Sequence, residues 1–497
     1  MIVHAVRAAL VALLLLAAQS ASARPTDVTG TDLWRYDATD VVEHLDTTRF
    51  RIFYVRTGKN AVPSADANSD GIPDHVQQVG QLYEDVLAFY LGRGYVQPLS
   101  DGELPDNGGD GRFDVYLIDF AKAADGAFTR QQCTASRCIG YMVEENDFAG
   151  YTYPSATIGN RILASHEFFH AVQAAYNADQ GTVLAEGTAV WSTEQFDSSL
   201  NDFEGFIGGY LDNVDRSLDR PGTGPVDSFS YGAAIFFQFL GEKLGVDVIR
   251  GLYEDCVLGA RGVEMPAWFS VLPTLLVRDH ATTFADVFTE FATYNLFTAV
   301  RADASRGYAH GAGYQLAAST KASLPYEDTT LRVFYASSQI LLFEVAGRAQ
   351  LSAAVVPTTS TDDSALRILV APMQNGLIAK VSTSDGSSPI ELGAATQVLV
   401  EVVSTAQSGD SIKGTLCVGT PSEVAACQAK NGGTPPRVMS PGGGCTTAGT
   451  RPRASGPGAI LLLALAFCLR RRPGSTGDDT RQRGGPRRTM HPVISGG

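Results

Sequence analysis

Residues 162–177 read ILASHEFFHAVQAAYN, and residues 183–196 read VLAEGTAVWSTEQF. Both runs are typical of helices, and the segment NADQGT at 177–182 between them is a turn signal. The sequence therefore predicts two consecutive helices joined by a short loop. This helix pair carries the most specific pattern in the chain.

The first helix contains the pattern His166-Glu167-Phe168-Phe169-His170. Histidines four positions apart lie one above the other on the same helix face, so both imidazoles can reach a single metal ion. Zinc accepts nitrogen ligands readily and keeps an open coordination position when three protein groups bind it. Glu167 lies about 100° further round the helix, where its carboxylate can act on a water without being a ligand. The alternative for these five residues alone is an ordinary amphipathic helix.

Glu186 offers a third group for the same ion. It follows His170 after fifteen intervening residues, near the start of the second predicted helix. Beyond His170 the first helix advances only about 9 Å before it ends, and a seven-residue loop can span roughly 23 Å. The chain can therefore return and present Glu186 beside the two histidines. We expect zinc to be held by His166, His170 and Glu186, with Glu167 as the general base.

An HExxH pattern followed by a glutamate on the next helix resembles the gluzincin metallopeptidases, the group that contains thermolysin and the zinc aminopeptidases. The resemblance extends over residues 50–300 and is sharpest over residues 162–192. It implies a zincin-like catalytic domain, in which a mixed sheet is followed by a helical half, and the hydrolysis of peptide bonds. The chain also looks similar to secreted bacterial HExxH proteins of myxobacterial type. That likeness implies a peptide or protein substrate outside the cell.

The segment Ser230-Tyr231-Gly232-Ala233 is similar to a helix start that follows the glutamate ligand in zinc aminopeptidases. In that family the tyrosine hydrogen-bonds the developing oxyanion. The resemblance implies this catalytic role for Tyr231, since a phenol donor near zinc would stabilise negative charge in the transition state. The alternatives are that Tyr231 is a buried core residue, or that His310, in a glycine-rich loop, is the donor.

The regions on either side of the helix pair predict an α+β fold. Residues 24–320 begin with strand-like runs, and helical patterns dominate from about residue 161 onward. Residues 321–420 contain short β-rich runs separated by Gly, Ser, Asp and Pro, which predicts a C-terminal antiparallel β-sandwich. The clearest early runs are Phe50–Val55 and Phe113–Ile118 for strands and His75–Leu91 for a helix.

Two acidic, glycine-containing loops are similar in spacing to the start of an EF-hand calcium loop. Oxygen-bearing side chains recur at alternate positions, and a glycine stands at the bend. We expect both loops to bind calcium in a structural role, and the alternative is a solvated turn of Asx and Gly residues. The expected ligands are Asp66, Asn68, Asp70 and Asp74 in the first loop, and Asp106, Asp110 and Asp114 in the second.

Residues 1–23 are typical of a secretory signal peptide, with Arg7, an apolar run and a small-residue cleavage site at 21–23. Export to an oxidising compartment allows cysteines to pair. The positions of the seven cysteines favour two local disulfides and a lone buried thiol. The expected pairs are Cys133–Cys138 and Cys417–Cys427, and the lone thiol is Cys256.

Residues 421–457 are rich in Gly, Pro, Ser and Thr and predict a flexible linker. An apolar run and an arginine cluster follow at 458–472, and residues 473–497 predict a disordered tail. A GGGC motif at Cys445, an apolar run and arginines, in that order, resemble the MYXO-CTERM sorting signal of myxobacteria. The resemblance implies that Cys445 is the processing and attachment site, and that the protein is secreted and held at the cell surface or outer membrane. A tail without function is the alternative.

The charge of the chain limits its partners. The formal net charge is −15, and residues 24–445 alone carry 28 basic against 51 acidic residues. Such a surface repels nucleic acid and anionic lipid, and it suits the binding of cations outside the cell. We therefore expect no nucleic-acid partner, and we expect a monomer.

Two other functions stay open on the sequence alone. One is a surface adhesion or binding protein with an inactive zincin fold, in which the β-domain makes the contacts. The other is a zinc hydrolase that acts on a glycan or an ester instead of a peptide. The intact set of two histidines and two glutamates argues against the first, because an inactive enzyme has no need of Glu167.

Overall fold

The computed structural model describes residues 24–27, 34–221, 227–345, 347–358 and 365–432. The predicted signal peptide, the linker beyond residue 432, the apolar run with its arginines, Cys445 and the tail lie outside the described residues. Within the described part, no helix is both long enough and apolar enough to cross a membrane.

The first part of the chain builds a five-stranded mixed sheet in the order β1-β2-β3-β5-β4. β2 pairs in parallel with β3 and β3 with β5, whereas the edge strands β1 and β4 pair antiparallel with their neighbours. The two strands predicted from the sequence, β2 and β3, are confirmed with the same bounds. The strands are β1 Val42–Asp46, β2 Phe50–Val55, β3 Phe113–Ile118, β4 Gly126–Thr134 and β5 Arg137–Glu145.

Successive side chains of this sheet face two different layers, because they alternate across a strand. In β3, Leu117 joins the main core, whereas Tyr116 joins a separate aromatic cluster with Tyr36 on the opposite face. Helices α1 (Asp74–Gly92) and α2 (Ala156–Tyr176) pack on the face of the main core. The sheet therefore has a helical side and a second side covered by the N-terminal segment.

A helical half follows the sheet, as the sequence predicts. Aromatic rings from different helices meet in its core, where the ring centroids of Phe236 and Phe291 are 5.1 Å apart in an edge-to-face arrangement. Edge-to-face pairs of this kind stabilise a core beyond the area that they bury. The helices are α3 Thr182–Phe196, α4 Phe203–Phe206, α5 Gly208–Leu211, α6 Ser228–Gly232, α7 Ala234–Leu244, α8 Asp247–Asp255, α9 Trp268–His280 and α10 Phe284–Leu296.

The β-rich region is a sandwich of two sheets, with strand orders β11-β10-β14-β8-β6 and β13-β9-β15-β7, and with β12 paired to β10. All pairings are antiparallel except that of the short strand β6 with β8. The strands are β6 Thr320–Ala322, β7 Tyr326–Phe334, β8 Ser337–Glu344, β9 Gln350–Pro357, β10 Leu366–Gln374, β11 Leu377–Ile378, β12 Ser382–Thr383, β13 Ile390–Glu391, β14 Gln397–Ser404 and β15 Ser411–Gly419.

The first sheet of the sandwich is covered on both faces. In β14, Val400 points into the sandwich core, whereas Leu399 joins the main core with the helices. A backbone hydrogen bond of 2.9 Å from the Leu218 N–H to the Ala336 carbonyl links the two regions. The sandwich is therefore packed against the helical half along a continuous apolar surface.

A helix, α11 (Pro421–Lys430), stands where the sequence predicted the start of a flexible linker, so that prediction is wrong for this stretch. Thr420 and Glu423 form a reciprocal capping box, and a proline occupies the first turn, where its missing N–H costs nothing. A disulfide from Cys427 to Cys417 of β15 fixes the helix to the sandwich.

Both predicted disulfides are present, and Cys256 is a buried free thiol. The second bridge, Cys133–Cys138, closes the hairpin between β4 and β5. With several sheets and helices in one chain, the predicted α+β class is confirmed.

Candidate metal centre

The helix that carries the HExxH pattern is buried on nearly all sides. Ser155 caps its N-terminus by accepting a hydrogen bond from the Ile158 N–H at 3.2 Å. From residue 162 to residue 176 every side chain of α2 is buried. A helix without a polar face belongs in the interior of a domain, and here α2 lies between the sheet and the remaining helices.

The loop after α2 brings the chain back beside it. The Ala178 N–H donates to the Ser136 carbonyl at 2.7 Å, and the Asn177 amide donates to the Cys256 carbonyl at 2.8 Å. These bonds hold the turn against the β4–β5 hairpin and against the end of α8. α3 then starts at Thr182 and runs along α2.

Because α3 lies beside α2, the three predicted metal ligands come together. Glu186 Oε2 lies 3.4 Å from His166 Nε2 and 3.5 Å from His170 Nε2. The three residues are 3%, 8% and 4% exposed in the order His166, His170 and Glu186. These three ligand atoms, His166 Nε2, His170 Nε2 and Glu186 Oε2, are buried, and none has a hydrogen-bond partner among the described residues. Because buried polar atoms are normally satisfied, the arrangement fits a metal ion bound by all three.

Glu167 lies beside this group without joining it. Its carboxylate oxygens are 4.0 Å from the Nε2 atom of each histidine, and Oε2 accepts a hydrogen bond from the Phe128 N–H at 3.2 Å. The other oxygen, Oε1, is buried and accepts no hydrogen bond from the residues that the structure describes. Complete burial raises the pKa of Glu167 to about 8, against the opposing charge of His170. A nearby cation would favour the ionised form, which a general base requires.

Gln173 orients one of the histidines. Its Oε1 lies 2.8 Å from His170 Nδ1, and its Nε2 donates to the Ala185 carbonyl at 2.8 Å and to Thr188 Oγ1 at 3.1 Å. The amide therefore fixes a proton on Nδ1 and leaves Nε2 for the ion, as outer partners of metal ligands commonly do. The sequence reasoning did not identify Gln173, although its i+3 spacing from His170 was a usable signal.

The pKa values of the two histidines reflect their burial and the charge of Glu186. Burial lowers the pKa of His166. Burial also opposes the charged form of His170, but the Glu186 carboxylate outweighs it and raises the pKa of His170 to about 9. The same two histidines hold the pKa of Glu186 far below its usual range in spite of its burial. The site therefore attracts positive charge strongly.

Tyr231 stands next to the ligands. Its ring is stacked at 5.9 Å from the His166 ring, and its hydroxyl hydrogen-bonds Glu186. Burial, followed by the charges of Glu186 and Glu167, raises the pKa of Tyr231 well above its ordinary value, so the hydroxyl keeps its proton. His310, the alternative donor, faces a different carboxylate: its Nδ1 lies 3.9 Å from Glu194 Oε1.

Two further groups near Glu167 were not identified from the sequence. Asp125, which precedes the edge strand β4, accepts a short hydrogen bond from the Tyr153 hydroxyl. After burial, the charge of Asp125 is the largest influence that raises the pKa of Tyr153, and Asp202 and Glu167 contribute as well. No local pattern marks either residue, because they meet only through the sheet and the loop that follows β5.

The first acidic loop is held by its own backbone. Asp66 accepts from the N–H groups of Asp70 at 3.2 Å and Gly71 at 3.0 Å, and Asp74 accepts from the Ala67 N–H at 3.1 Å. Within the described ranges, the only group of three or more His, Cys, Asp or Glu residues whose ligand atoms converge within 4.8 Å is His166, His170 and Glu186. Calcium binding by the acidic loops stays a prediction.

The second acidic loop is paired with arginines. Asp110 is bonded to Arg112, and at 2.9 Å to Arg51. Asp114 is bonded to the guanidinium of Arg24, whose side chain is fully buried. Burial, against the charge of Arg24, raises the pKa of Asp114 to about 7. Three more groups hold the same guanidinium, and together they form what we call the Arg24 cluster: Arg24, Asp101, Asp114, Tyr116 and Gln131.

Comparisons with known proteins add little to this description. No family model matches the chain, and no curated protein matches it. Among solved structures, the chain is similar to the pre-peptidase C-terminal domain of a collagenase from Bacillus anthracis, at 12% sequence identity and a TM-score of 0.16. The match covers 20% of this chain and 94% of that domain. A likeness at this level carries no argument about activity.

Proposed function

We propose that this chain is a zinc-dependent peptidase of gluzincin type, with His166, His170 and Glu186 as ligands and Glu167 as the general base. The observation that carries the proposal is the convergence of three buried, unpartnered ligand atoms next to a separate buried carboxylate. Two imidazoles and one carboxylate form a donor set that suits zinc and leaves a coordination position open.

The architecture supports a zincin-like core. A mixed sheet precedes the two ligand-bearing helices, and its antiparallel edge strand β4 lies against α2. The Phe128 N–H of β4 contacts Glu167, so the edge strand borders the proposed reaction site. An edge strand has unpaired backbone groups that can hydrogen-bond an extended peptide, which favours a peptide substrate over a compact ester or glycan.

Glu167, Tyr231 and Gln173 have separate roles in the proposed hydrolysis. When bound, zinc acidifies a water molecule and polarises a carbonyl group. Glu167 takes a proton from the attacking water and passes it to the leaving amine. Tyr231 keeps its proton in this environment, so its hydroxyl can donate to the developing oxyanion if it turns from Glu186. Gln173 holds the tautomer of His170.

The surroundings of the site fit an extracellular role. Two disulfides are stable in an oxidising compartment, and the acidic first loop is compatible with calcium, whereas Asp110 and Asp114 of the second loop are paired with arginines. Together with the signal peptide and the sorting signal expected from the sequence, this supports a monomeric peptidase. It would be secreted to the cell surface or outer membrane, and it would act on peptides or proteins and not on nucleic acid.

The test is metal content and casein hydrolysis of the secreted protein, measured beside Glu167→Gln and the exposed control Glu254→Gln. We expect one zinc per chain in all three, and a loss of about a thousandfold in hydrolysis only for Glu167→Gln. A chain without bound metal would overturn the proposal. Zinc in every form with no hydrolysis of casein would point to a non-peptide substrate or to a binding protein.

A further inference from the structure

A buried network of hydrogen bonds continues from the metal centre into the helical half. Thr188 of α3 and Tyr253 of α8 are 0% and 1% exposed, and their hydroxyl oxygens are 2.7 Å apart. Thr188 Oγ1 also accepts a hydrogen bond, at 3.1 Å, from the Gln173 amide that contacts His170. Three side chains from three helices therefore connect His170 Nδ1 with the interior behind the site. The mechanism proposed above uses neither hydroxyl.

The hydroxyl of Thr188 has one proton, and the helix decides where that proton goes. Thr188 Oγ1 lies 2.7 Å from the carbonyl oxygen of Leu184, four positions earlier in α3, and a carbonyl oxygen can only accept. The single hydroxyl proton is therefore directed to Leu184. Oγ1 is then an acceptor in its other contacts, so the Tyr253 hydroxyl, a phenol that keeps its proton at neutral pH, donates to Thr188.

These directions determine the orientation of the Gln173 amide. Its Nε2 has two protons, and it faces two oxygens that both need a donor, the Ala185 carbonyl and Thr188 Oγ1. The reversed amide would place Oε1 against two acceptors, which leaves all of them unsatisfied in a buried place. Oε1 is therefore the atom beside His170 Nδ1, and it accepts because that nitrogen carries the proton.

The same amide connects the two helices that carry the metal ligands. Gln173 belongs to α2, as His170 does, and its Nε2 bonds the carbonyl of Ala185 in α3 at 2.8 Å. Ala185 is the residue directly before Glu186. An amide fixed in one orientation therefore holds the backbone next to Glu186 at a set distance from the imidazole of His170.

We propose that Thr188 and Tyr253 are positioning residues of the metal centre. They hold the Gln173 amide in one orientation, and through it they fix the proton and the direction of the His170 imidazole. The inference rests on the proposed zinc site and extends it to side chains two and three hydrogen bonds away from a ligand. Ligands that are already ordered bind a metal ion more tightly, because fewer motions are lost on binding.

The test is the dissociation constant for zinc of the full-length protein, measured by competition with a metal indicator. Thr188→Val removes the hydroxyl and keeps the shape of the side chain, so we expect zinc to bind about tenfold more weakly. Thr188→Ser keeps the hydroxyl and should bind zinc as the unmodified protein does. Thr298→Val is the matched control, because Thr298 is a fully buried threonine outside this network, whose hydroxyl bonds the Asn295 carbonyl.

A double-mutant cycle separates positioning of the ligand from general support of the fold. Tyr253→Phe keeps the ring contacts with Phe169 and Tyr176 and should weaken zinc binding about threefold. If the two hydroxyls act through the amide, neither Tyr253→Phe nor Thr188→Val should weaken binding further in the Gln173→Leu background. A loss of packing would instead add to the effect of Gln173→Leu.

Each result decides one question. An unchanged zinc affinity for Thr188→Val, or full additivity with Gln173→Leu, overturns the positioning role. The proposed function survives that outcome if casein hydrolysis by the unmodified protein still requires Glu167. Circular dichroism establishes the folding of each variant, and Tyr253→Phe with its cycle decides the question if Thr188→Val does not fold. An unmodified protein that binds no zinc overturns the metal centre and this inference together.

Discussion

Two buried sets of charged residues lie on opposite faces of the N-terminal sheet, and they are completed in different ways. The Arg24 cluster contains its own cation, since the guanidinium is bonded to Asp101 at 2.5 Å, to Asp114 and to Gln131 at 2.7 Å. The set of His166, His170 and Glu186 has three buried ligand atoms that find no partner in the part of the chain that the structure describes.

The difference separates an ion pair that supports the fold from a site that binds an ion. Both sets lie among apolar residues, where unpaired charge is costly. In the Arg24 cluster the opposite charge is covalently part of the chain, so stability should not depend on a supply of metal. In the metal set the positive charge comes from outside, so stability should follow the supply of metal.

The largest expected effect tests whether His166, His170 and Glu186 bind a metal ion. His170→Ala should lose the bound metal and with it about 4 kcal/mol of stability, the gain expected when metal stands a thousandfold above its dissociation constant. Metal analysis and denaturant unfolding measure both quantities. A chelator should lower the stability of the unmodified protein to the same value. The control is His44→Ala, at an exposed position of β1, which should change neither the metal content nor the free energy of unfolding. Retention of one metal per chain by His170→Ala would contradict the assignment.

The second effect, of similar size, tests the Arg24 cluster. Arg24→Met leaves two buried carboxyls without their cation and should lower the free energy of unfolding by about 3–5 kcal/mol, measured in urea. Asp114→Leu added to Arg24→Met should recover part of the loss. The same loss is expected with and without chelator. A loss that disappears when metal is removed would show that the two sets are not independent.

The third effect concerns the amide that orients His170. Gln173→Leu should weaken metal binding by about 10–100-fold, because His170 then lacks its Nδ1 partner. Competition with a metal indicator gives the dissociation constant. Gln81→Leu on the surface of α1 is the control. An unchanged constant for Gln173→Leu would mean that packing alone holds the imidazole.

The smallest effect concerns a buried carboxyl that forms no ion pair with any residue of the described ranges. Glu401 of β14 is 1% exposed, and burial raises its pKa to about 8. The folded chain therefore keeps a proton that the unfolded chain releases above about pH 4.5, and stability should fall as the pH rises from 4.5 to 8. Glu401→Gln should raise the free energy of unfolding at pH 9 by at least about 1 kcal/mol and change it little at pH 4. An equal change at both pH values would refute the titration.

Local spacing explains what the sequence could predict. The i, i+4 histidines and the turn before α3 depend on helix geometry alone. The strand runs 50–55 and 113–118 are short runs rich in aromatic and β-branched residues, and they are buried almost throughout. The pairing of Cys133 with Cys138 was accessible for the same reason, since both lie on one hairpin. Each of these features is encoded within about twenty residues.

The features that could not be predicted from the sequence fall into two groups. Some depend on contacts between residues that are distant in the chain, and one lies in a segment whose composition was misinterpreted. Asp125 and Tyr153 meet across a sheet edge. The helix α11 was missed for a different reason. Its Gly- and Pro-rich surroundings outweighed a capping box at Thr420 and Glu423 that was visible in the sequence.

The Arg24 cluster also leads us to expect a particular order of folding. Arg24 reaches partners 77, 90 and 107 positions further along the chain, whereas the metal ligands lie within about twenty residues of one another. Contacts of long sequence separation require a large loop to close before they form, so they are slow. The helix pair can therefore assemble while the N-terminal strand region is still open. Arg24 is then expected to be among the last residues to form its native contacts.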